Sequence, residues 1–507
     1  MNIRKKLIAS SIILTITTSL LTGCSQSLNN NTSTNTTKTA YNGLFKQNEI
    51  MDVKIEIKED DLKDIKENAM DEKYHSANIT VWNTKLENIG IRTKGFSSLM
   101  SVSSSDSDRY SFRIKFDKYV DGQNFNGLNE FVLNNNFQDP SYMREYLSYK
   151  ALENLGVDVP KNSYANVYIN GELFGFYLAV EAIDDSFVKR ITNTNSNDVK
   201  LYKADGDNST LVDEASLSNF ELKSGKDDNM DGLKKLVSAI NSIENSNKGD
   251  IESIFDVDTF LKSIAVNTVV GNYDSYNGSK AHNYFLLEED GVFKYIPWDY
   301  NMAFGGFMGD NGKSITVSID KPIYGVESSK RPLIEKLLSV DEYNKKYQGY
   351  LKELVTYFDD FENQVNEVAT LIRPYVKSDP SAFYTIEQFE KNIVASGTDL
   401  STVENKMGDN RLSKGDNNGE PPAMPDGKMP NFKDFGAPPN NANGEFPSMP
   451  DGMKMPSDKN FGNGNPPSRP EGGKMPDMGP GMSISSDVVS IMDYLKQRVE
   501  NIKTQLS

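Results

Sequence analysis

The period of the apolar residues changes once along this chain, and that change restricts its folds more than any other feature. From Met51 to about Val180 apolar positions mostly alternate with polar ones, as in Val53-Lys-Ile-Glu-Ile57. A side chain that returns to the same face every second residue belongs to a strand. Strands are expected at Asp52–Ile57, Ala77–Trp82, Ile89–Thr93 and Tyr110–Phe116, with Asn83-Thr84 as a turn. Ala165–Ile169 and Phe174–Val180 form a hairpin through Asn170-Gly171. A short helix is expected from Asp61 to Met70. A longer one opens at Asp139-Pro140-Ser141 and runs to about Leu155, with Met143, Leu147, Ala151 and Leu155 four apart. Beyond Gly232 the spacing becomes helical, over Gly232–Ile243, Val257–Val270, Leu333–Leu338, Asp341–Phe358 and Phe361–Tyr375. One strand pair interrupts it, Asn283–Glu288 and Val292–Pro297, joined by Glu289-Asp290-Gly291. The expected class is α+β, with a β-rich N-terminal part and a helical C-terminal part.

The ends of the chain follow other rules. Arg4, Lys5 and Lys6 precede an apolar run from Leu7 to Leu21, which ends in Leu21-Thr22-Gly23-Cys24. A short apolar run that stops at small residues and a cysteine reads as a cleaved signal and not as a spanning helix. Residues 1–23 are therefore expected to be a lipoprotein signal peptide, with Cys24 carrying the lipid on the extracytoplasmic face of a membrane. Cys24 is the single cysteine of the chain, which excludes an intrachain disulfide and a cysteine-rich metal site. Residues 24–43, rich in Ser, Asn and Thr, form the expected tether. Residues 44–405 form the expected body. Within the expected insertion, residues 406–482, the stretch Gly419 to Met482 holds 14 of the 21 prolines, and there the near-repeats Pro425-Asp-Gly-Lys-Met-Pro430 and Pro470-Glu-Gly-Gly-Lys-Met-Pro476 lack the strict glycine period of collagen. This composition predicts disorder, with a solvated loop and a partner-binding arm as the two uses. In residues 483–507, Val488, Ile491, Leu495, Val499, Ile502 and Leu506 make the stripe of a final helix expected to pack on the body. A formal net charge of −17 argues against a nucleic-acid partner, since phosphate binding needs clustered Lys and Arg. It suits a basic protein substrate, or solubility alone.

Several chemistries are missing their residues. The two histidines, His75 and His282, lie far apart with no partner motif beside them. No Gly-x-Ser-x-Gly elbow and no Gly-x-x-x-x-Gly-Lys-Ser/Thr loop occurs. Asp227-x-Asn229-x-Asp231-Gly232 imitates the start of a calcium loop, but Ser238 stands where the bidentate Glu belongs, so a polar turn capping the next helix is the expectation. What remains is a set of polar residues in apolar surroundings. Asn272-Tyr-Asp274 follows Ala265-Val-Asn-Thr-Val-Val270, Asn283 opens a strand, and Asp299 follows Pro297-Trp298 at the end of its partner. Two such oxygens side by side hold a hard cation, and a third carboxylate can take a hydroxyl proton. Metal, metal ligands and base are the parts phosphoryl transfer needs. Asp and Asn also cap helices and make turns, so spacing leaves both readings open.

A run of matches then gives direction. Arg92-Thr-Lys-Gly-Phe-Ser-Ser98, Tyr110-Ser-Phe-Arg-Ile-Lys-Phe-Asp117, Asp139-Pro-Ser-Tyr-Met-Arg-Glu145 and Val167-Tyr-Ile-Asn-Gly-Glu-Leu-Phe-Gly-Phe-Tyr-Leu-Ala-Val-Glu181 occur in that order. Asn272-Tyr-Asp274, Asn283-Tyr284 and Pro297-Trp-Asp-Tyr300 follow. Together they resemble the CotH family of spore-coat protein kinases over roughly Met51 to Tyr375. The resemblance implies a diverged, two-lobed protein-kinase-like fold that uses ATP with Mg²⁺ or Mn²⁺. It implies that Lys94, Gly95, Ser97 and Ser98 form a turn over the phosphates, and that Lys115, or Arg113 beside it, pairs with phosphate. Glu145 would hold that cation, or else Arg144 would itself meet phosphate. Glu181 would begin a hinge beside adenine, Asp274 would be the catalytic base, and Asn283 and Asp299 would hold the metal. Many relatives carry a second Asp where Asn301 stands, and an amide there adds no charge.

Two functions compete at this stage. One is a membrane-anchored kinase that transfers the γ-phosphate of ATP to Ser or Thr of a basic, Ser-rich spore-coat or envelope protein. The other is an adhesin, or an envelope or spore-coat scaffold, that keeps the fold without the reaction. ATP is scarce outside a membrane, which favours the second. The joint presence of Asp274, Asn283 and Asp299 favours the first.

Overall fold

The alternating apolar residues that begin at Met51 become β1 (Met51–Ile57), whose inward positions Val53, Ile55 and Ile57 are all buried. The computed structural model describes residues 40–192, 198–227, 229–244, 247–307, 310, 312–400 and 488–507. The signal segment, Cys24, nearly all of the tether and the Met/Pro/Gly insertion lie outside the described residues.

After β1 come α1 (Glu59–Glu67), β2 (His75–Val81), β3 (Thr84–Lys94), α2 (Ser97–Ser103), β4 (Ser111–Lys115), β5 (Glu130–Asn134), α3 (Arg144–Asn154), β6 (Asn162–Ile169) and β7 (Glu172–Glu181). The strands close into a barrel in the order β1-β2-β3-β4-β5-β7-β6, with β1 and β6 parallel and every other pair antiparallel. Closure leaves no free edge. The interior is filled by alternate residues such as Ile79, Ile91, Phe112, Ile114 and Phe131. β7 reads as a nearly continuous apolar run because both its faces are covered. Tyr177 and Ala179 point into the barrel, whereas Phe176, Leu178 and Val180 join the core of the helical part.

That second part contains α4 (Asp185–Ile191), β8 (Val199–Ala204), β9 (Phe220–Ser224), α5 (Asp231–Asn241), α6 (Ile251–Ile254), α7 (Val257–Val270), β10 (Tyr284–Glu289), β11 (Val292–Pro297), α8 (Pro332–Leu338), α9 (Asp341–Tyr357), α10 (Phe361–Ser378), α11 (Ile386–Asn392) and α12 (Ile491–Leu506). α7 is buried on nearly every side, among α3, α9, α12 and β11. Its residues show little face preference because it is the central helix. The architecture is α+β, strand-rich first and helical second.

Three local readings are corrected. The expected strand pair is half of a four-stranded sheet of order β11-β10-β8-β9. The helix expected from Ser141 starts at Arg144, because Asp139 turns the chain first, accepting hydrogen bonds from the backbone of Ser141 and Arg144 at 3.0 and 2.9 Å. The turn before β3 is Trp82-Asn83, with Trp82 at φ 52°. Asp227 does cap α5, accepting from the backbone of Asp231 and Gly232 at 2.9 and 3.2 Å. Among the described residues no helix is long and apolar enough to cross a membrane.

Candidate active site

Alternation along β3 sends Ile89 and Ile91 into the barrel, so Arg92 and Lys94 face outward. Lys94 Nζ donates to Asn134 Oδ1 of β5 at 2.8 Å. Asn134 Nδ2 donates to Glu145 Oε2 at 2.8 Å, and Tyr149, one turn along α3, donates its hydroxyl to Glu145 Oε1 at 3.1 Å. The same Tyr149 oxygen accepts from the backbone N–H of Asp299 at 3.3 Å. A chain of polar contacts thus links the end of β3, β5, the first turn of α3 and Asp299, two residues past β11. Burial pushes the Glu145 carboxyl up to about 7, with the nearby Asp299 charge adding to the effect and Lys94 opposing it. Burial also raises Asp299, against the pull of Lys94, and depresses Lys94, against the pull of Asp299 and Glu145.

Asp274 reaches the same place from the other side. α7 ends at Gly271 in a left-handed cap, φ 63°, and the chain turns out toward Asp274. His282 Nε2 lies 2.7 Å from Asp274 Oδ1. Asn283 Nδ2 donates to both the backbone oxygen and Oδ2 of Asp274, at 2.9 and 3.1 Å. Asn283 and Asp299 both adopt positive φ, 56° and 59°, each at the end of a β10 or β11 strand. Such backbone geometry in residues with short polar side chains turns them out of the sheet at its edge. The Asp274 charge lies near enough to Asp299 to raise it further, which places the two carboxylates in one neighbourhood.

The two parts meet at Trp298. It is half-buried, with its ring edge-on to Phe285 at 6.2 Å and Lys94 Nζ 6.0 Å from its centroid. It packs with Ile183, Phe187 and Leu201, a small apolar cluster next to the exit of β7.

The other residues singled out from the sequence are placed as follows. Gly95 has φ 117°, and a β-carbon there would sit 2.8 Å from Ser98 Oγ, so only glycine makes this turn. Ser97 and Ser98 open the short helix α2 instead of continuing the turn. Arg113 and Lys115 lie on β4 and are taken by Glu130, at 2.9 and 3.0 Å, so the cation linked to Glu145 is Lys94 and neither of these two. Arg144 is fully buried. It donates to the carbonyls of Ala303, Phe304 and Val489 at 2.5, 2.7 and 2.6 Å, which removes it as a phosphate ligand. The Glu181 carboxylate is also fully buried, receiving Tyr41 Oη at 2.6 Å, Arg190 at 2.7 and 3.0 Å and the backbone of Lys161 at 2.8 Å. Only its main chain is left to face a ligand.

Sequence reasoning missed Asn134, Tyr149 and His282. Tyr149 stands four residues after Glu145, the spacing of one helix face, and that was the available signal. His282 directly precedes Asn283, but its partner Asp274 is eight residues back across a loop. His75, by contrast, sits between Asp61 and Asp64 at 3.0 Å from each, away from the cleft.

The donor set suits a hard divalent cation. Asn283 gives its amide nitrogen to Asp274, so its amide oxygen is the atom that could meet a cation, and Asp299 carries the carboxylate that burial disfavours. Among the described residues no group of three or more His, Cys, Asp or Glu side chains could hold a metal alone. Mg²⁺ commonly takes one or two protein oxygens and completes its octahedron with phosphates and water.

Residues 91–402, more than half of the chain, match the family described as CotH kinase protein. Inner spore coat protein H of Bacillus subtilis (strain 168) is 28% identical over 300 residues, covering 56% of this chain and 78% of that protein. Spore coat protein homolog 1 of Rhizopus delemar is 24% identical over 272 residues, covering 50% of this chain and 42% of its own length. Among solved structures, a complex of HipA and HipB with operator DNA from Shewanella oneidensis MR-1 is 11% identical and covers 55% of this chain and 60% of that one. Its TM-score is 0.19, from which no shared geometry follows. The family match falls on the barrel from β3 onward and on every strand and loop that supplies the cleft, and the chain belongs to the CotH family.

Proposed function

We propose that this protein is a kinase that moves the γ-phosphate of ATP to a Ser or Thr hydroxyl, anchored at a membrane surface through Cys24. The observation that carries the reading is the convergence of two independent polar networks. One is Lys94–Asn134–Glu145–Tyr149–Asp299, and the other is Asp274 with His282 and Asn283. A turn or a cap accounts for any one of these residues, but not for two carboxyls, an amide and a lysine brought to one cleft with Asp274.

Lys94 meets the nucleotide phosphates, fixed by Asn134 and through it by Glu145. Gly95 lets the backbone approach them closely. Asn283 and Asp299 would hold the divalent cation, which when bound would neutralise charge on the phosphates. Asp274 accepts the proton of the protein hydroxyl as its oxygen bonds to the γ-phosphorus and the bridging bond to the β-phosphate breaks. ADP leaves with the bridging oxygen. His282 and Asn283 fix the Asp274 carboxylate so that one lone pair faces the incoming hydroxyl. Phosphoryl transfer asks mainly for positioning and charge stabilisation, and these contacts supply both. The acidic chain favours a basic, Ser-rich substrate. Relatives named as spore coat proteins support a spore coat or cell envelope as the setting of that substrate.

The test is purified protein with labelled ATP and Mg²⁺ or Mn²⁺, offered basic Ser-rich proteins, beside Asp274→Ala. Transfer by the wild type and a loss of about 10²-fold or more in the variant is the expected result. Nucleotide bound but never transferred would favour the scaffold. Anchoring is tested separately: Cys24→Ser should lose its lipid label and leave the membrane fraction, and unchanged fractionation would refute it.

A further inference from the structure

α12 lies beyond the family match, which ends at residue 402, yet it and the residues leading into it touch all three segments that feed the cleft. Tyr494 is fully buried and lies against two glycines. One is Gly271, the cap of α7 three residues before Asp274, where an added β-carbon would collide with the tyrosine hydroxyl. The other is Gly305, six residues after Asp299, where a β-carbon would lie 2.6 Å from the ring. These two stretches also hold each other, since Phe304 N donates to Val270 O at 2.5 Å. The Tyr494 hydroxyl is 2.8 Å from Ser314 Oγ, which in turn bonds Asp310. One turn along, Arg498 donates to Thr268 O of α7 at 3.0 Å, and to Ile315 O and Val317 O at 2.8 and 2.7 Å. The third segment is α3. Arg144, next to Glu145, reaches both the Ala303 and Phe304 carbonyls and the Val489 carbonyl that leads into α12.

We propose that Tyr494 is a positioning residue for phosphoryl transfer: its ring sets the Asp274 loop and the segment after Asp299 at a fixed separation, so the site is complete only when α12 is docked. The physical basis is packing. Two backbones approach a flat, rigid ring through glycines, so neither can shift toward it; the Arg498 bond to Thr268 holds the first against the helix, and the Phe304 N bond to Val270 O ties the second to the first. A misplacement of about 1 Å between base and metal ligands is enough to cost on the order of 10²-fold in rate.

The idea rests on the kinase reading for its rate arm only. Tyr494→Ala should lower kcat by about tenfold or more while the KM for ATP stays within a few-fold. Tyr494→Phe keeps the ring and should recover most of the turnover, and Ser314→Ala should resemble it. If Tyr494→Ala proves too unstable to purify, Tyr494→Leu offers the same comparison with a smaller void. Amide hydrogen exchange provides the second arm. Asn272–Asn283 and Tyr300–Gly306 should exchange faster in the Ala or Leu variant, while β1 to β4 stay unchanged. A purely structural helix would give a lower melting temperature with wild-type kcat at low temperature and unchanged exchange in those two stretches, and that result overturns the proposal. Should wild-type protein transfer no phosphate, the kinase reading fails and the exchange arm alone decides this one.

Discussion

Glu145 and Asp299 show what single residues are asked to do in this cleft. Both carboxyls are raised, Glu145 to about 7, by burial first and by a neighbouring carboxylate second. A bound cation would favour the charged form of Asp299 again. Asp299→Ala should therefore lose metal-dependent ATP binding and turnover together, whereas Asp274→Asn should keep nucleotide affinity within a few-fold and lose turnover only. Titration of ATP in the presence of Mg²⁺ or a chelator separates the two, and equal affinity under both conditions would exclude Asn283 and Asp299 as metal ligands. Another raised carboxyl lies outside the site. Asp184 caps α4, accepting from Ser186 N and Phe187 N at 2.8 and 3.3 Å, while its other oxygen is buried without a partner. Burial pushes it from the ordinary 3.8 up to about 7. The folded state then holds a proton that the unfolded chain has released between those values, so stability is lost as pH rises through that window. Asn caps a helix about as well as Asp and carries no charge. Asp184→Asn should match the wild type near pH 4 and melt a few degrees higher at pH 8. A pH-independent offset in differential scanning would show that Asp184 is charged throughout.

At the level of elements, the chain is legible where one face is wet and one is dry, as in β1 and α9, and where an apolar run is long and bounded by turns, as in β7 and α7. β8 and β9 were not legible, because Val199-Lys-Leu-Tyr-Lys-Ala204 and Phe220-Glu-Leu-Lys-Ser224 are short and flanked by turns. β8 is held by pairing with β10, where Lys203 is opposite Phe285, and β9 by pairing with β8 in turn, and no local window contains the first of these contacts. β5 was lost for the same reason, and Asn134 with it. The placement of Lys94 illustrates the limit at the site. Lys94 and Lys115 both alternate outward from the barrel, so period alone gives them equal claims. The deciding fact is strand order: Lys94 is opposite Ser111, one strand from Asn134, whereas Lys115 faces Glu130. Because Asn134 serves Lys94 and Glu145 at once, Asn134→Ala should leave a buried carboxyl oxygen without its donor. That costs about 1–3 kcal/mol of stability. Turnover should fall by about tenfold with it, and circular-dichroism melts beside an ATP assay read both. A variant with full stability and full turnover would remove Asn134 from the network.

Across the whole molecule, the connection between Leu400 and Val488 raises a question of chain entropy. The residues on either side of it are clasped together on α12. Ser396 N and Gly397 N donate to the Asp493 carboxylate at 3.0–3.1 Å, Leu400 N donates to Gln497 Oε1 at 3.0 Å, and Ser490 Oγ donates to Val394 O at 2.8 Å. The body therefore fixes both ends of the connection side by side, and nothing in this clasp needs a long segment to span a distance. Removing Gly419–Met482 shortens the connection roughly fourfold, and closing a shorter loop costs less entropy, by about 0.6 kcal/mol per halving. Docking of α12 should thus become slightly stronger, by about 1 kcal/mol. The deletion protein should melt at the wild-type temperature or up to a few degrees above it, and its turnover on a small peptide should be unchanged, since Tyr494 and Arg498 keep their contacts. Activity on a full-length protein substrate is a separate reading: a loss there alone would give the Met/Pro/Gly segment a role in holding that substrate. A melting temperature lowered by several degrees would mean that the segment contributes buried contacts to the body, in which case its proline-rich composition has been misread.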